Sequence, residues 1–365
     1  MENKRWLTGL DFVRAAACIA ILSFHMNITI LGKFAVTLFF SLSGFLMAYN
    51  ALASAQSDRL SLRGCVLFGI HRIGKLYPAY LLSMAVPALM FLYGIYSGTI
   101  NFETKLITSF AANIFLVQSL SPDAGIYFFL NGVAWYLSTS MFIYMAFPCI
   151  IARIRKYNNT RQAWCHIAAA FLAQIIAIYL VHTYVRGVPL LSGSYISGND
   201  FFDWFAYISP FSRIFDFIIA CNLAYIFRNR RKTVLPPVPA GMLECAAIAF
   251  AVLTQFAFEK GVLPEISMHG TAFIPASALL IWAFAHGDGF VSRLMDNPAV
   301  HFISGLSLYI YLFHFTVIKL MTPVINRIPL PFRTLQFVYL FTIPLFTFIV
   351  SALYRKLERK LRHKT

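Results

Sequence analysis

The chain of 365 residues is 59% hydrophobic and only 12% charged, with 37 phenylalanines and a mean hydropathy of +0.70, which leaves too little polar surface for a water-soluble domain of this length. Runs of about 20 apolar residues recur and short alternating segments do not, so the fold class expected is all-α, a polytopic membrane helix bundle and not a membrane barrel. The net charge of +16 does not read as a nucleic-acid face, because the cations, including the RNRRK run at Arg228–Lys232, sit between apolar spans as cytoplasmic loops do.

Ten spans are predicted, at 8–30, 34–50, 76–97, 133–152, 163–183, 204–227, 240–258, 271–286, 300–321 and 335–354. A shorter apolar piece, Leu106 to Leu120, predicts a re-entrant or interfacial segment. With the N-terminus inside, the inner segments hold 21 Lys and Arg and the outer segments 6, while Arg14, Arg213 and Lys319 fall within spans. This bias predicts both termini in the cytoplasm. No repeat or long polar linker interrupts the chain, which predicts a single membrane domain over residues 1–365 with no appended soluble domain. The first span follows Lys4 and Arg5 but is long, carries charges and lacks a small-residue cleavage site, so it is expected to be retained and not removed as a signal peptide. Cys18, Cys65, Cys149, Cys165, Cys221 and Cys245 have no metal-ligand spacing and are expected to be small buried packers.

Span one contains LDFVRAAACIAILSFH, in which Asp11, Arg14, Cys18, Leu22 and His25 fall on one helical stripe. Ionisable groups facing lipid cost several kcal/mol, so the stripe predicts a bundle interior. Asp11 and Arg14, three residues apart, are expected to neutralise one another, while His25 has no local partner. Span two carries Ser43, either a small packing residue or a polar group for a ligand. At span three Arg72 and Lys75 lie three apart, a spacing that suits a multi-phosphate ligand and equally suits anionic lipid headgroups. Trp135 opens span four, where an interfacial belt tryptophan is the ordinary reading. In span six Arg213 and Asp216 form either an interhelical clamp or part of a site. In span nine Ser304, Ser307, Tyr311 and His314 share a face. Cations gather toward one side and histidines toward the other.

Six segments in order, LDFVRAAACIAILSFH, VTLFFSLSGFLMAY, HRIGKLYPAY, NGVAWYLSTSMFIY, SRIFDFIIA and ISGLSLYIYLFH, together resemble the acyltransferase-3 family of multi-span acyltransferases that decorate bacterial surface glycans. The resemblance implies a bacterial inner-membrane O-acyltransferase. It would use cytoplasmic acyl-CoA as co-substrate and no metal, with acetyl as the default acyl group and succinyl left open. Its acceptor would be a hydroxyl of an extracytoplasmic or lipid-linked glycan such as O-antigen or exopolysaccharide. By the same resemblance His25 matches the essential histidine, with Arg14 and Asp11 of its helix assigned beside it as catalytic, and Arg72 with Lys75 matches the basic pair of the CoA donor, with Arg14 and Tyr77 assigned to the donor side. Supporting roles are assigned to Ser43, Trp135, Arg213, Asp216, Ser307, Tyr311 and His314. Lys75 departs from the usual arginine, Tyr136 from a common serine, and Ser140 stands where many relatives carry glutamate. Arg14 and His25 are about 16 Å apart along the helix, a distance a pantetheine arm covers, so the thioester is expected to reach up a hollow in the bundle to His25 acting as base. The competing reading is a transporter or flippase for a glycan precursor or small anion, since intramembrane ionisable groups also mark transport paths. No matching halves of the inverted-repeat kind are visible.

Overall fold

A computed structural model describes residues 5–54, 61–186, 198–230, 235–264 and 270–362, with side chains from Thr8 onward. Its helices in chain order are α1 Arg5–His25, α2 Gly32–Ala53, α3 Leu62–Gly74, α4 Tyr77–Tyr96, α5 Thr104–Ile114, α6 Ala124–Tyr127, α7 Trp135–Arg155 and α8 Thr160–Tyr184. They continue with α9 Gly198–Asp203, α10 Pro210–Arg230, α11 Pro237–Glu259, α12 Ile274–His286, α13 Phe290–Leu294, α14 Pro298–Ile325 and α15 Phe332–Arg362. An all-helical chain is what lipid imposes, because each helix satisfies its own backbone donors and acceptors where no water is available. Local signals set several starts. Ser61, Asn159 and Asn297 accept from backbone N–H groups as N-caps of α3, α8 and α14, and Pro298 stands in the first turn of α14.

Among the described residues nine helices are long and apolar enough to cross a membrane. The expected span at 271–286 is different: a 3-10 turn, Thr271–Phe273, leads into α12, which is 13 residues long. This helix packs against α1, α2, α10 and α11, and Phe273, Ala276, Ser277, Ile281, Phe284 and Ala285 are fully buried. Enclosed by other helices, it need not match the thickness of lipid.

The bundle is layered by exposure. α2 is the most enclosed of the long helices together with the α9–α10 stretch, while α8 and α15 face outward over most of their length. Gly44 marks a close crossing of α2 and α10: a Cβ there would meet the Phe217 carbonyl oxygen at 2.6 Å, and the Cys221 thiol points at the Gly44 carbonyl at 3.4 Å. The short apolar piece after α4 folds as α5 followed by a 3-10 turn, Gln118–Leu120. Its buried polar groups are tied into the bundle. The Asn113 carbonyl accepts from Tyr80 at 2.5 Å, Ser119 pairs with Ser138 at 2.7 Å, and Trp204 Nε1 donates to the Ser119 carbonyl at 2.8 Å. Irregular backbone of this kind is tolerated among apolar helices only where protein satisfies it.

Two expectations are corrected by packing. Trp135 is not an interfacial belt residue; it is 4% exposed, with its ring 5.1 Å from that of Tyr207, because the start of α7 is covered by the turn that precedes α10. The cysteines are not uniformly buried either: Cys18, Cys65 and Cys221 are, whereas Cys149, Cys165 and Cys245 are exposed on apolar helix faces.

Arg213 and Asp216 form the interhelical clamp. Both side chains are fully buried, with Nη1 to Oδ2 at 2.9 Å. Arg213 also donates to the Tyr207 carbonyl at 2.8 Å and to Thr37 of α2 at 3.2 Å, and Asp216 accepts from Gln174 of α8 at 2.8 Å. One ion pair thereby joins α2, α8 and α10. Removing one partner from such a pair strands a buried charge, so Arg213→Ala is expected to lower stability by about 3–5 kcal/mol. The double replacement Arg213→Met with Asp216→Leu should lower it less than either single change, read as thermal midpoints in detergent.

Candidate active site

The site begins with how α1 presents its stripe. The structure does not pair Asp11 with Arg14. Asp11 accepts instead from Ser304 of α14 at 2.6 Å and meets His301 at 3.0 Å, and the other ring nitrogen of His301 meets Asp296 at 2.8 Å. A neighbouring helix offers a hydroxyl and an imidazole with better geometry than a side chain three residues away, and the outcome is a stitch between α1 and α14. One turn further along, the Cys18 thiol points at the Ser307 carbonyl at 3.4 Å, continuing the same seam.

Arg14 is therefore left without an ion pair or hydrogen bond among the described residues, and so are Arg72 and Lys75 at the junction of α3 and α4. All three line one cavity of about 430 Å³. Its walls include Ser43 of α2, Tyr136 and Ser140 of α7, and Ser304 and Ser307 of α14, and no carboxylate lines it. Ser43 and Ser140 neighbour the Tyr136 hydroxyl, and the buried Ser140 Oγ has no hydrogen-bond partner. A concave volume with three uncompensated cations and several hydroxyls is built to hold a polyanion. Tyr77 is not part of it. Its hydroxyl donates to the Ile114 carbonyl at 2.6 Å, tying α4 to the end of α5. Arg213, Asp216 and Trp135 also lie off this cavity.

The histidines form a second cluster. The rings of His25 and His314 are 5.1 Å apart, and His25 also meets Phe24 at 5.2 Å and Phe315 at 5.5 Å. His25 is half-buried with no hydrogen-bond partner among the described residues. His314 is fully buried; its Nδ1 lies 3.1 Å from the Ile310 carbonyl, and its Nε2 has no partner. A ring nitrogen facing a carbonyl must carry the proton, so in the neutral ring Nε2 keeps its lone pair.

The hollow expected between the two clusters is filled. From Tyr136 on the cavity wall a run of rings leads on: Tyr311 at 5.2 Å, His314 5.9 Å from Tyr311, and then His25. The Tyr311 hydroxyl is fixed by a bond to the Val133 carbonyl at 2.6 Å. The cations and the imidazoles are thus neighbours along α1 and α14, with the Tyr311 and His314 rings packed in the way between cavity and His25.

The match with known proteins covers residues 7–355, which align with the acyltransferase domain family Acyl_transf_3. The chain belongs to that family. Among curated members it is 28% identical over 303 residues to the acyltransferase MdmB of Streptomyces mycarofaciens, covering 80% of this chain and 70% of that protein. It is 25% identical over 342 residues to the peptidoglycan O-acetyltransferase OatA of Listeria monocytogenes, covering 89% of this chain and 51% of that one. The O-acetyltransferase OatA of Staphylococcus aureus is 24% identical, covering all of this chain and 58% of its own length. The chain spans about half to 70% of the length of these relatives. No solved structure matches it.

In this acyltransferase-family chain Arg14, Arg72, Lys75, Ser43 and Ser307, singled out from the sequence on separate helices, line one cavity, and His301, Tyr144, Tyr309 and Arg362 were not among the residues singled out. Tyr144, Tyr309 and Arg362 line the cavity, and His301 holds Asp11. A signal existed for His301, which stands three residues before Ser304 on the face already singled out. The stitch and the free cation should separate in a stability measurement. Asp11→Ala is expected to cost about 1.5–3 kcal/mol, because it breaks hydrogen bonds to a carboxylate. Arg14→Gln, which removes a cation without an ion pair among the described residues, should not lower stability; thermal unfolding in one detergent checks both.

Proposed function

We propose that this multi-pass membrane protein transfers a short acyl group, acetyl by default, from acyl-CoA to a hydroxyl of an extracytoplasmic or lipid-linked glycan. The observation that carries the reading is the convergence of Arg14, Arg72 and Lys75, all unpaired, on one carboxylate-free cavity. The same helix that supplies Arg14 ends at a half-buried histidine. Membership of an acyltransferase family supports the reaction type, and the relatives named as peptidoglycan O-acetyltransferases support a glycan as acceptor class.

The residues divide the work by position. The cations hold the phosphates of the donor, and the hydroxyls of Ser43, Tyr136 and Ser307 line the volume its pantetheine arm enters. His25 takes the proton from the acceptor hydroxyl as its oxygen attacks the thioester carbonyl, and the departing thiolate of CoA receives a proton in turn. His314, with a free lone pair on Nε2, stands beside it to orient the ring or share the proton. For the thioester to meet His25 the Tyr311 and His314 rings must swing aside, and on this reading their packed arrangement is the closed state of the path. Arg213, held on the Tyr207 carbonyl, Thr37 and Asp216, serves to position helices; its burial keeps it from the cavity. The cation bias of the sequence supports a cytoplasmic cavity mouth and cytoplasmic termini in an inner-membrane protein.

Purified protein in lipid discs, given acetyl-CoA and a glycan acceptor, is expected to release free CoA in step with acceptor acetylation. His25→Ala should reduce this by about 100-fold or more, the usual weight of a general base. Undiminished turnover in that variant at equal protein amount rejects the base, and absence of CoA release from the parent protein rejects the donor. A reporter fused at the C-terminus is expected to be active only when it requires the cytoplasm; the opposite result reverses the orientation.

A further inference from the structure

We infer that the C-terminal end of α15 builds a nucleotide-phosphate subsite over the mouth of the cavity, with Arg355 and Arg362 as its cations and Tyr309 and Glu358 as the groups that position them. The inference rests on the acyl-CoA reading above and extends it to Arg355, Glu358 and Arg362, which lie outside every motif of the resemblance.

The face of α15 that packs inward is a stripe. Ile343, Thr347 and Ser351 follow in steps of four and are fully buried. The next positions on that face are Arg355, Glu358 and Arg362, again in steps of three and four. Where the helix passes the cavity, its inward face therefore changes from small and apolar to charged. The other cations of this segment differ in position: Lys356, Arg359 and Lys360 are exposed and off this face, whereas Arg355 and Glu358 are half-buried and Arg362, itself exposed, lines the cavity.

Three contacts hold this face on α14. The Tyr354 ring lies 5.4 Å from Tyr309 and 5.6 Å from Phe313. The Tyr309 hydroxyl donates to one oxygen of Glu358, and the other oxygen accepts from Arg362 Nη2 at 2.5 Å. The Arg355 guanidinium lies over Gly305, where a Cβ would meet its Nη1 at 2.7 Å. Gly305, Tyr309 and Arg362 all line the same cavity as Arg14, Arg72 and Lys75. Glycine at 305 has a physical reason here, since any side chain would push that guanidinium aside.

Charge balance favours a ligand with several phosphates. Arg14, Arg72, Lys75 and Arg362 line this cavity and Arg355 lies over its wall at Gly305; among the described residues Glu358 is the carboxylate bonded to these cations, Asp11 being taken up by Ser304 and His301. A diphosphate contributes one negative charge per phosphate and a terminal phosphomonoester about 1.5–2 more, so a 3′-phosphorylated nucleotide diphosphate such as the head of CoA matches the net excess of four. Arginine suits this role because its planar fork holds phosphate oxygens bidentately. Anionic lipid headgroups share that chemistry, but the cations placed to meet them are the outward ones, Lys356, Arg359 and Lys360.

The test compares two donors in lipid discs: acetyl-CoA, and acetyl-pantetheine, which has the same thioester arm and no phosphate. Arg355→Gln and Arg362→Gln are each expected to raise KM for acetyl-CoA about tenfold, and together by more, with kcat little changed and acetyl-pantetheine kinetics unaltered. Gly305→Val should reproduce the Arg355→Gln effect without removing a charge, and Arg359→Gln should change neither donor. A double variant whose KM for acetyl-CoA stays within twofold of the parent overturns the subsite. So do equal losses with both donors, which mark a folding role, and a defect seen in phosphatidylglycerol discs but not in phosphatidylcholine discs, which assigns the arginines to headgroups. If the parent protein releases no CoA at all, the donor reading falls and the subsite with it; parent turnover with an unaffected double variant refutes the subsite alone.

Discussion

A bilayer offers neither hydrogen bonds nor a high dielectric, so every polar or charged group placed among apolar helices must find its partner within the protein. Most of this chain obeys that constraint closely. Arg213 and Asp216 satisfy one another and join α2, α8 and α10; Asp11 is taken up by Ser304 and His301; the irregular segment after α5 is stitched by Tyr80, Ser138 and Trp204. Some groups break the rule at scattered places, among them Arg213 Nη2, Gln118 Oε1 and Ser277 Oγ; those that gather in one region are Arg14, Arg72 and Lys75 around one cavity, the Ser140 hydroxyl on its wall and the Nε2 of His314 beyond it. Their vacant bonding capacity is what a ligand and a reaction require.

The same constraint explains how the two halves of the chemistry are kept apart. α1 and α14 run side by side and carry both clusters, basic residues toward one end and imidazoles toward the other. Between them the rings of Tyr136, Tyr311 and His314 form a packed partition, pinned by the Tyr311 bond to the Val133 carbonyl. On the function proposed above, such a partition would keep the interior closed to ions until substrate displaces the rings. The long helices α14 and α15, extending past the cavity at its basic end, add a roof whose charged face continues the buried stripe of the span.

How much of this was legible in the chain varies with the range of the interaction. The helix class, the positions of most spans and the stripe carrying Arg14 and His25 follow from apolar run length and from the helical repeat, which are local properties. The helical stretch Thr271–His286 has the bounds expected of it but is shorter than the nine long apolar helices among the described residues, because composition does not say whether an apolar helix faces lipid or protein. Trp135 was misplaced for the same reason: a tryptophan at a helix start reads alike in a headgroup belt and under a covering turn. Asp11 and Arg14 look like a natural pair in one dimension, and only the arrival of Ser304 and His301 from a segment some 290 residues away separates them.

What the sequence determined by itself was the solvent, the helices and the chemical types available on each helical face, since hydrophobicity and periodicity act between near neighbours. What the tertiary structure alone decided was partnership: that Arg14 is without an ion pair among the described residues and Asp11 is not, that the Tyr77 hydroxyl is tied to Ile114 away from the cavity, that the Tyr311 and His314 rings pack between cavity and His25, and that Arg362 lines the cavity with Arg355 over its wall at Gly305. The reason is that a charge or hydroxyl is committed by whichever acceptor or donor packs against it, and the identity of that neighbour is set by how distant helices dock, which no local pattern contains.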